Sequence, residues 1–121
     1  MVDRKDIIRD RLQTDQVDIT TTRTPLFAVV DERKIRYVVA LILNGDGVAS
    51  RTVDIEKLEE DGSYTMKFEK VPVAPADSRK IPEGAYNLED PVVTCEGGTR
   101  LYGTASGNTV YASVMYWDND I

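Results

Sequence analysis

The sequence predicts an all-β fold, an antiparallel β-sandwich of jelly-roll-like order with a short N-terminal helix or extended arm. Three observations point there. Apolar and alternating runs of strand length recur, about seven to nine of them. Turn residues separate them roughly every ten positions, the spacing of a sandwich rather than of βαβ units. Only residues 3–13 read as a helix, with Ile7, Ile8 and Leu12 on one face and Asp3 as a cap.

The elements follow in order. The segment 1–24 reads as an arm, either a short amphipathic helix or an extension that docks on a neighbouring subunit, and 25–121 as the sandwich domain. Within the arm, Val17 to Thr22 is rich in β-branched residues. Pro25 to Val30, the charged turn Asp31 to Lys34 and Ile35 to Leu43 read as a β-hairpin. Val38 to Leu43 is apolar on both faces, so that strand is expected at the centre, covered on both sides. Asn44-Gly45-Asp46-Gly47 is a turn. Val53 and Ile55 alternate with Thr52, Asp54 and Glu56, and Tyr64, Met66 and Phe68 share a face. Val71 to Pro82 reads as an irregular edge connection. Strands are expected again before Cys95, over Arg100 to Ala105 and over Val110 to Trp117, with turns at Glu96 to Thr99 and Ser106 to Thr109. In the last strand Val110, Ala112, Val114 and Tyr116 face one way, and Tyr111, Ser113, Met115 and Trp117 the other.

Composition narrows the function. The chain has 121 residues, 15 Lys+Arg against 21 Asp+Glu, and no histidine. A net charge of −6 argues against a surface that neutralises nucleic-acid phosphates. Without histidine there is no Ser-His-Asp or Cys-His catalysis and no histidine-ligated zinc. One cysteine, Cys95, allows no intramolecular disulfide and reads as a buried small residue. Met1 to Gln13 lacks the apolar core of a signal peptide, and no apolar run approaches the roughly 20 residues of a membrane helix. The expectation is a chain made and kept in the cytosol, or released without a cleaved signal, with no membrane partner.

The local motifs are weak. Gly97-Gly98 and Gly103-x-x-x-Gly107 lack the Lys-Ser/Thr and the helix of a phosphate loop and read as turn glycines. Asn44 to Gly47 and Asp118-Asn119-Asp120 collect oxygen ligands of the kind calcium takes, without EF-hand spacing. Asp54 and Glu56 share one strand face, not the two sides of a cleft that a glycosidase needs. No catalytic, cofactor-binding or metal-ligating residue is assigned. The residues assigned to an interface are Ile7, Ile8, Leu12, Tyr111, Met115 and Trp117, because Trp, Tyr and Met anchor protein contacts. The competing reading of the same aromatic residues is a core face. Tyr86, Tyr102, Tyr111 and Trp117 are also the residues that could stack a surface glycan.

PLFAVVDERKIRYVVALILNGDG, followed by YNLEDPVVTCEGGTRLYGTASGNTVYASVMYW, resembles the small β-sandwich virion accessory, head-decoration and tail-associated proteins of tailed phages and related viruses. The resemblance spans roughly residues 25–117. It departs at the first turn, Asp31-Glu32-Arg33-Lys34, where a Pro-Ala-Gly-Lys type of turn is common, and the first 24 residues have no counterpart. It implies a non-enzymatic structural protein, placed on a virion assembled in the host cytoplasm. Such a protein would form a homo-oligomer and dock in many copies on a major capsid or tail protein.

Overall fold

The computed structural model describes residues 4–121, with side chains from Ile8 onward. Helix α1 (Arg4–Arg11) precedes nine strands: β1 (Gln13–Ile19), β2 (Thr24–Pro25), β3 (Lys34–Asn44), β4 (Arg51–Leu58), β5 (Tyr64–Val73), β6 (Ser78–Ile81), β7 (Val93–Cys95), β8 (Arg100–Ala105) and β9 (Val110–Asp120). The expected cap Asp3 and the Ile7 side chain lie outside the described residues.

Two antiparallel sheets form the sandwich. The first has the order β1-β9-β3-β6, with β7 also on the β6 edge of β3; the second has the order β2-β8-β4-β5. The pairs β1·β9, β2·β8, β3·β6/β7 and β4·β5 are those of one long antiparallel hairpin whose tip is the β4–β5 turn. Rolling that hairpin up brings β9 against β3 and β8 against β4, which closes each sheet. This is the jelly-roll arrangement.

The core lies between the sheets. Ile19 from β1, Leu41 and Leu43 from β3, Val53 and Ile55 from β4, Leu101 from β8 and Val110 and Val114 from β9 are all fully buried there. The β9 alternation places its residues as expected, with Val110, Ala112, Val114 and Tyr116 in this core. In β3 the register slips between Val38 and Ala40. That bulge sends Val38 and Leu41 to the core while Val39 turns to the outer face, so the apolar run serves two layers.

Four expectations need correction. Residues 25–30 and 34–44 are not a hairpin: β2 pairs β8 in the second sheet, whereas β3 lies in the first. The intervening chain runs along β8, with Leu26 N donating to Leu101 O and Val30 N to Thr99 O. It buries Leu26, Phe27 and Val30 there before crossing between layers. Second, the 1–24 segment is not wholly an arm. Gln13–Ile19 pairs residue by residue with β9, and its inward positions Asp15, Val17 and Ile19 alternate with exposed Thr14, Gln16 and Asp18. Third, the connection 71–82 contains the strand β6, which hydrogen-bonds to β3. Fourth, Gly103 is a strand glycine rather than a turn glycine. It faces the core, and a Cβ there would come within 2.7 Å of Ile19 Cδ1. Only glycine lets β8 approach β1 this closely.

Candidate functional site

Chemistry at the ends of the sandwich is dominated by ion pairs that tie loops and strands together. Arg51 donates to Asp46 Oδ2 at 2.8 Å and to the carbonyl of Asn108, linking the β3–β4 and β8–β9 turns. Asp46 also accepts from Val48 N and Thr109 N. These bonds, the Val48 amide first and then Arg51, hold the Asp46 carboxyl at about 2, below its ordinary 3.8. Asp118 accepts two bonds from Arg36. Asp46 and Asp118, one from each cluster that suggested calcium, are therefore engaged with arginines. Among the described residues, no group of three or more Asp, Glu or Cys could hold a metal ion.

At one end Lys57 sits in phase with Val53 and Ile55, so its side chain points inward and is buried. Burial opposes its charge, but Glu96 Oε2 at 2.6 Å and Glu59 at 3.7 Å outweigh that and raise its pKa. A hollow of about 630 Å³ there is lined by Glu32, Glu60, Glu96, Gly97, Gly98 and Ile121. Cys95 is fully buried beside it, and burial pushes its thiol up to about 11, away from thiolate chemistry. Tyr116 is likewise pushed up to about 12, first by burial and then by donating to Asp15 Oδ2 at 2.9 Å. None of these is a group poised to transfer a proton near neutral pH.

The residues assigned to an interface separate in the structure. Ile8, Leu12, Met115 and Trp117 come together within the chain. With Val39, Tyr37 and Leu88 they form a second apolar cluster, in which α1 roofs the outer face of the first sheet. Trp117 is only 5% exposed, stacks at 4.6 Å on Tyr37 and donates its indole N–H to Leu88 O. The contact expected with another subunit is made by the chain's own helix, because one residue links α1 to β1 and the helix can fold directly onto the neighbouring β9. Tyr111 stands apart, 46% exposed.

A different constellation occupies the outer face of the second sheet. Cross-strand register places Arg100, Leu58 and Tyr64 in one row and Tyr102, Glu56 and Met66 in the next. The Arg23 guanidinium lies 3.7 Å above the Tyr64 ring and donates twice to Glu56. Tyr64 meets Tyr102 edge to face at 5.7 Å, and Arg100 lies over Tyr102 at 5.0 Å. This Arg-Tyr-Tyr-Arg array was not legible beforehand, since its members are distant in sequence and meet only through sheet register. The one signal was the shared face of Tyr64 and Met66, which are 40% and 44% exposed. For a stacked sugar the geometry is poor: Arg23 covers one face of Tyr64, the two tyrosines are not coplanar, and Trp117 is in a core.

No protein-family model and no curated protein matches the sequence. Among solved structures, the fold is similar to a chain in the crystal structure of the T13 IBDV viral particle, with a TM-score of 0.54 at 9% identity. The likeness covers 90% of this chain and 31% of that one, so this chain spans about a third of its length. At that identity it is a likeness of fold.

Proposed function

We propose that the protein is a non-enzymatic structural component of a virus particle. In this reading it is a capsid decoration or head or tail accessory protein that docks in many copies on a symmetric lattice. The observation that carries the reading is the likeness of fold, over 90% of this chain, to a chain of a viral particle. The chemistry of the molecule supports it. Histidine is missing, the one thiol is buried and protonated, and the partly buried carboxylates Asp46 and Asp118 are tied to arginines. Jelly rolls also serve as sugar-binding and metal-binding domains. The tilted, partly capped aromatics disfavour the first, and the lack of histidine disfavours histidine-ligated metals. Docking of this kind gains its strength from repetition, since modest contacts multiply when many copies engage at once. The partner in this reading is a major capsid or tail protein, and the location is the virion.

The test is quantitative mass spectrometry across a density gradient of particles from the source. The chain is expected to sediment with the particle in a constant ratio to its major protein. Recovery only in the soluble fractions overturns the reading.

A further inference from the structure

The two outer faces of the sandwich are treated differently. The first sheet is roofed by α1 and by Leu88 of the connection before β7. Among the described residues, no helix or strand packs over the outer face of the second sheet. That face exposes Tyr64 and Met66, with Tyr102 half-buried between them and the arginines. Tyr, Met and Arg are the residue types concentrated in protein contacts.

Its charge is also unusual for this chain. The whole molecule carries −6. The face carries Arg23 and Arg100 against Asp54 and Glu56, all projecting from β4, β8 and the chain before β2. These four charges cancel, and β5 adds exposed Lys67, Glu69 and Lys70, so this part of an acidic protein repels a second copy little. Arg23 already holds Glu56. Arg100 lies over Tyr102, and its Nε is buried with no hydrogen-bond partner. Among the described residues no carboxylate pairs with Arg100, so the part of its half-buried guanidinium that reaches the surface is open to one brought by a neighbour.

We infer that the outer face of the second sheet is a self-association surface on which a second copy of this chain packs, with Tyr64, Met66 and Tyr102 as the apolar centre and Arg100 meeting a carboxylate of the second copy. A two-fold relation would set the arginines of each copy opposite Asp54 and Glu56 of the other. Three strands of six to ten residues, about 4.8 Å apart and on the order of 25 Å long, with the two-residue β2 beside them, present roughly 400 Å². Two such faces remove on the order of 800 Å² from water, the size of a weak contact rather than a stable dimer interface. The dimer is therefore concentration-dependent in isolation. This deepens the particle reading and rests on it in one respect: so small a face becomes durable only where copies are already gathered.

The test is light scattering of the full chain over a concentration series. The mass is expected to rise from 13.5 kDa toward twice that value. Tyr64→Glu and Met66→Glu should each hold it at 13.5 kDa with an unchanged circular dichroism spectrum. Should one variant loosen β5, the other carries the same test. Tyr111→Glu, on the other sheet, should associate like the wild type. A wild type that stays at 13.5 kDa up to its solubility limit overturns the proposal, as does association undiminished in both folded variants. The gradient experiment is independent: a monomer found in particles overturns only this surface, and a dimer absent from them overturns only the role.

Discussion

Arg36 and Asp118 face each other directly across β3 and β9 and are joined by two hydrogen bonds of 2.7 and 2.9 Å. The guanidinium is also stacked 3.9 Å from the Tyr116 ring and 4.7 Å from Phe27. Both partners are largely shielded, with side chains 14% and 13% exposed. Removing the carboxylate would strand the arginine against two rings. Asp118→Ala is therefore expected to cost about 2–3 kcal/mol in urea unfolding. Breaking the exposed Arg79–Glu83 pair should cost no more than about 0.5 kcal/mol. Arg36→Lys should recover little, because an ammonium cannot both fork to Asp118 and stack flat on Tyr116.

The roof over the first sheet reports on itself through the only tryptophan. An eight-residue helix is too short to persist alone, so α1 depends on burying Ile8 against Val39 and Trp117. Ile8→Ala should destabilise by about 2–3 kcal/mol, toward the low end for such truncations because the helix can lift away. Its emission should shift to the red, as water reaches the indole, while the strand signal in circular dichroism persists. An unchanged emission maximum would show that α1 does not shelter Trp117.

Gly103 marks where β8 and β1 approach across the core. The methyl of Gly103→Ala would overlap the end of the fully buried Ile19 side chain, which would have to shift. A loss of about 1–3 kcal/mol is expected from overpacking. Pairing this change with Ile19→Val should return part of it, which urea unfolding of the single and double variants would measure.

Asp46 sets an acid limit. Its carboxyl titrates at about 2 in the fold, against an ordinary 3.8. A lowered folded value contributes stability that is complete above the unfolded pKa and disappears as pH falls through the folded one. Stability should therefore drop as pH falls from about 4 to about 2. Asp46→Asn should be less stable at neutral pH and show a shallower acid slope over that window. Tyr116 acts at the other extreme: raised to about 12, it contributes stability below about pH 10 that is lost as pH rises through 12.

Much of the fold was legible because period-two patterning is local. The two faces of β9 and the centrality of β3 follow from residues a few positions apart. The supposed hairpin 25–43 failed for a non-local reason. Two apolar segments with a charged turn between them look alike whether they pair with each other or cross between sheets, and only the pairing of Leu26 and Val30 with β8 decides. The residues assigned to an interface divide in the structure, with Tyr111 46% exposed. Met115 and Trp117 lie on the outward face of β9 as the alternation requires, but the chain covers them with its own helix. Lys57 was readable in principle, since it continues the inward phase of Val53 and Ile55. The Arg23-Tyr64-Tyr102-Arg100 array depends on the register of β4, β5 and β8, which no local pattern contains.

The proposed role makes this chain a repeated part of a particle. The most direct measurement is its ratio to the major particle protein across a density gradient of intact particles. The two are expected to co-sediment in a constant ratio through the particle band. A chain that remains at the top of the gradient, with no fraction in that band, would contradict it.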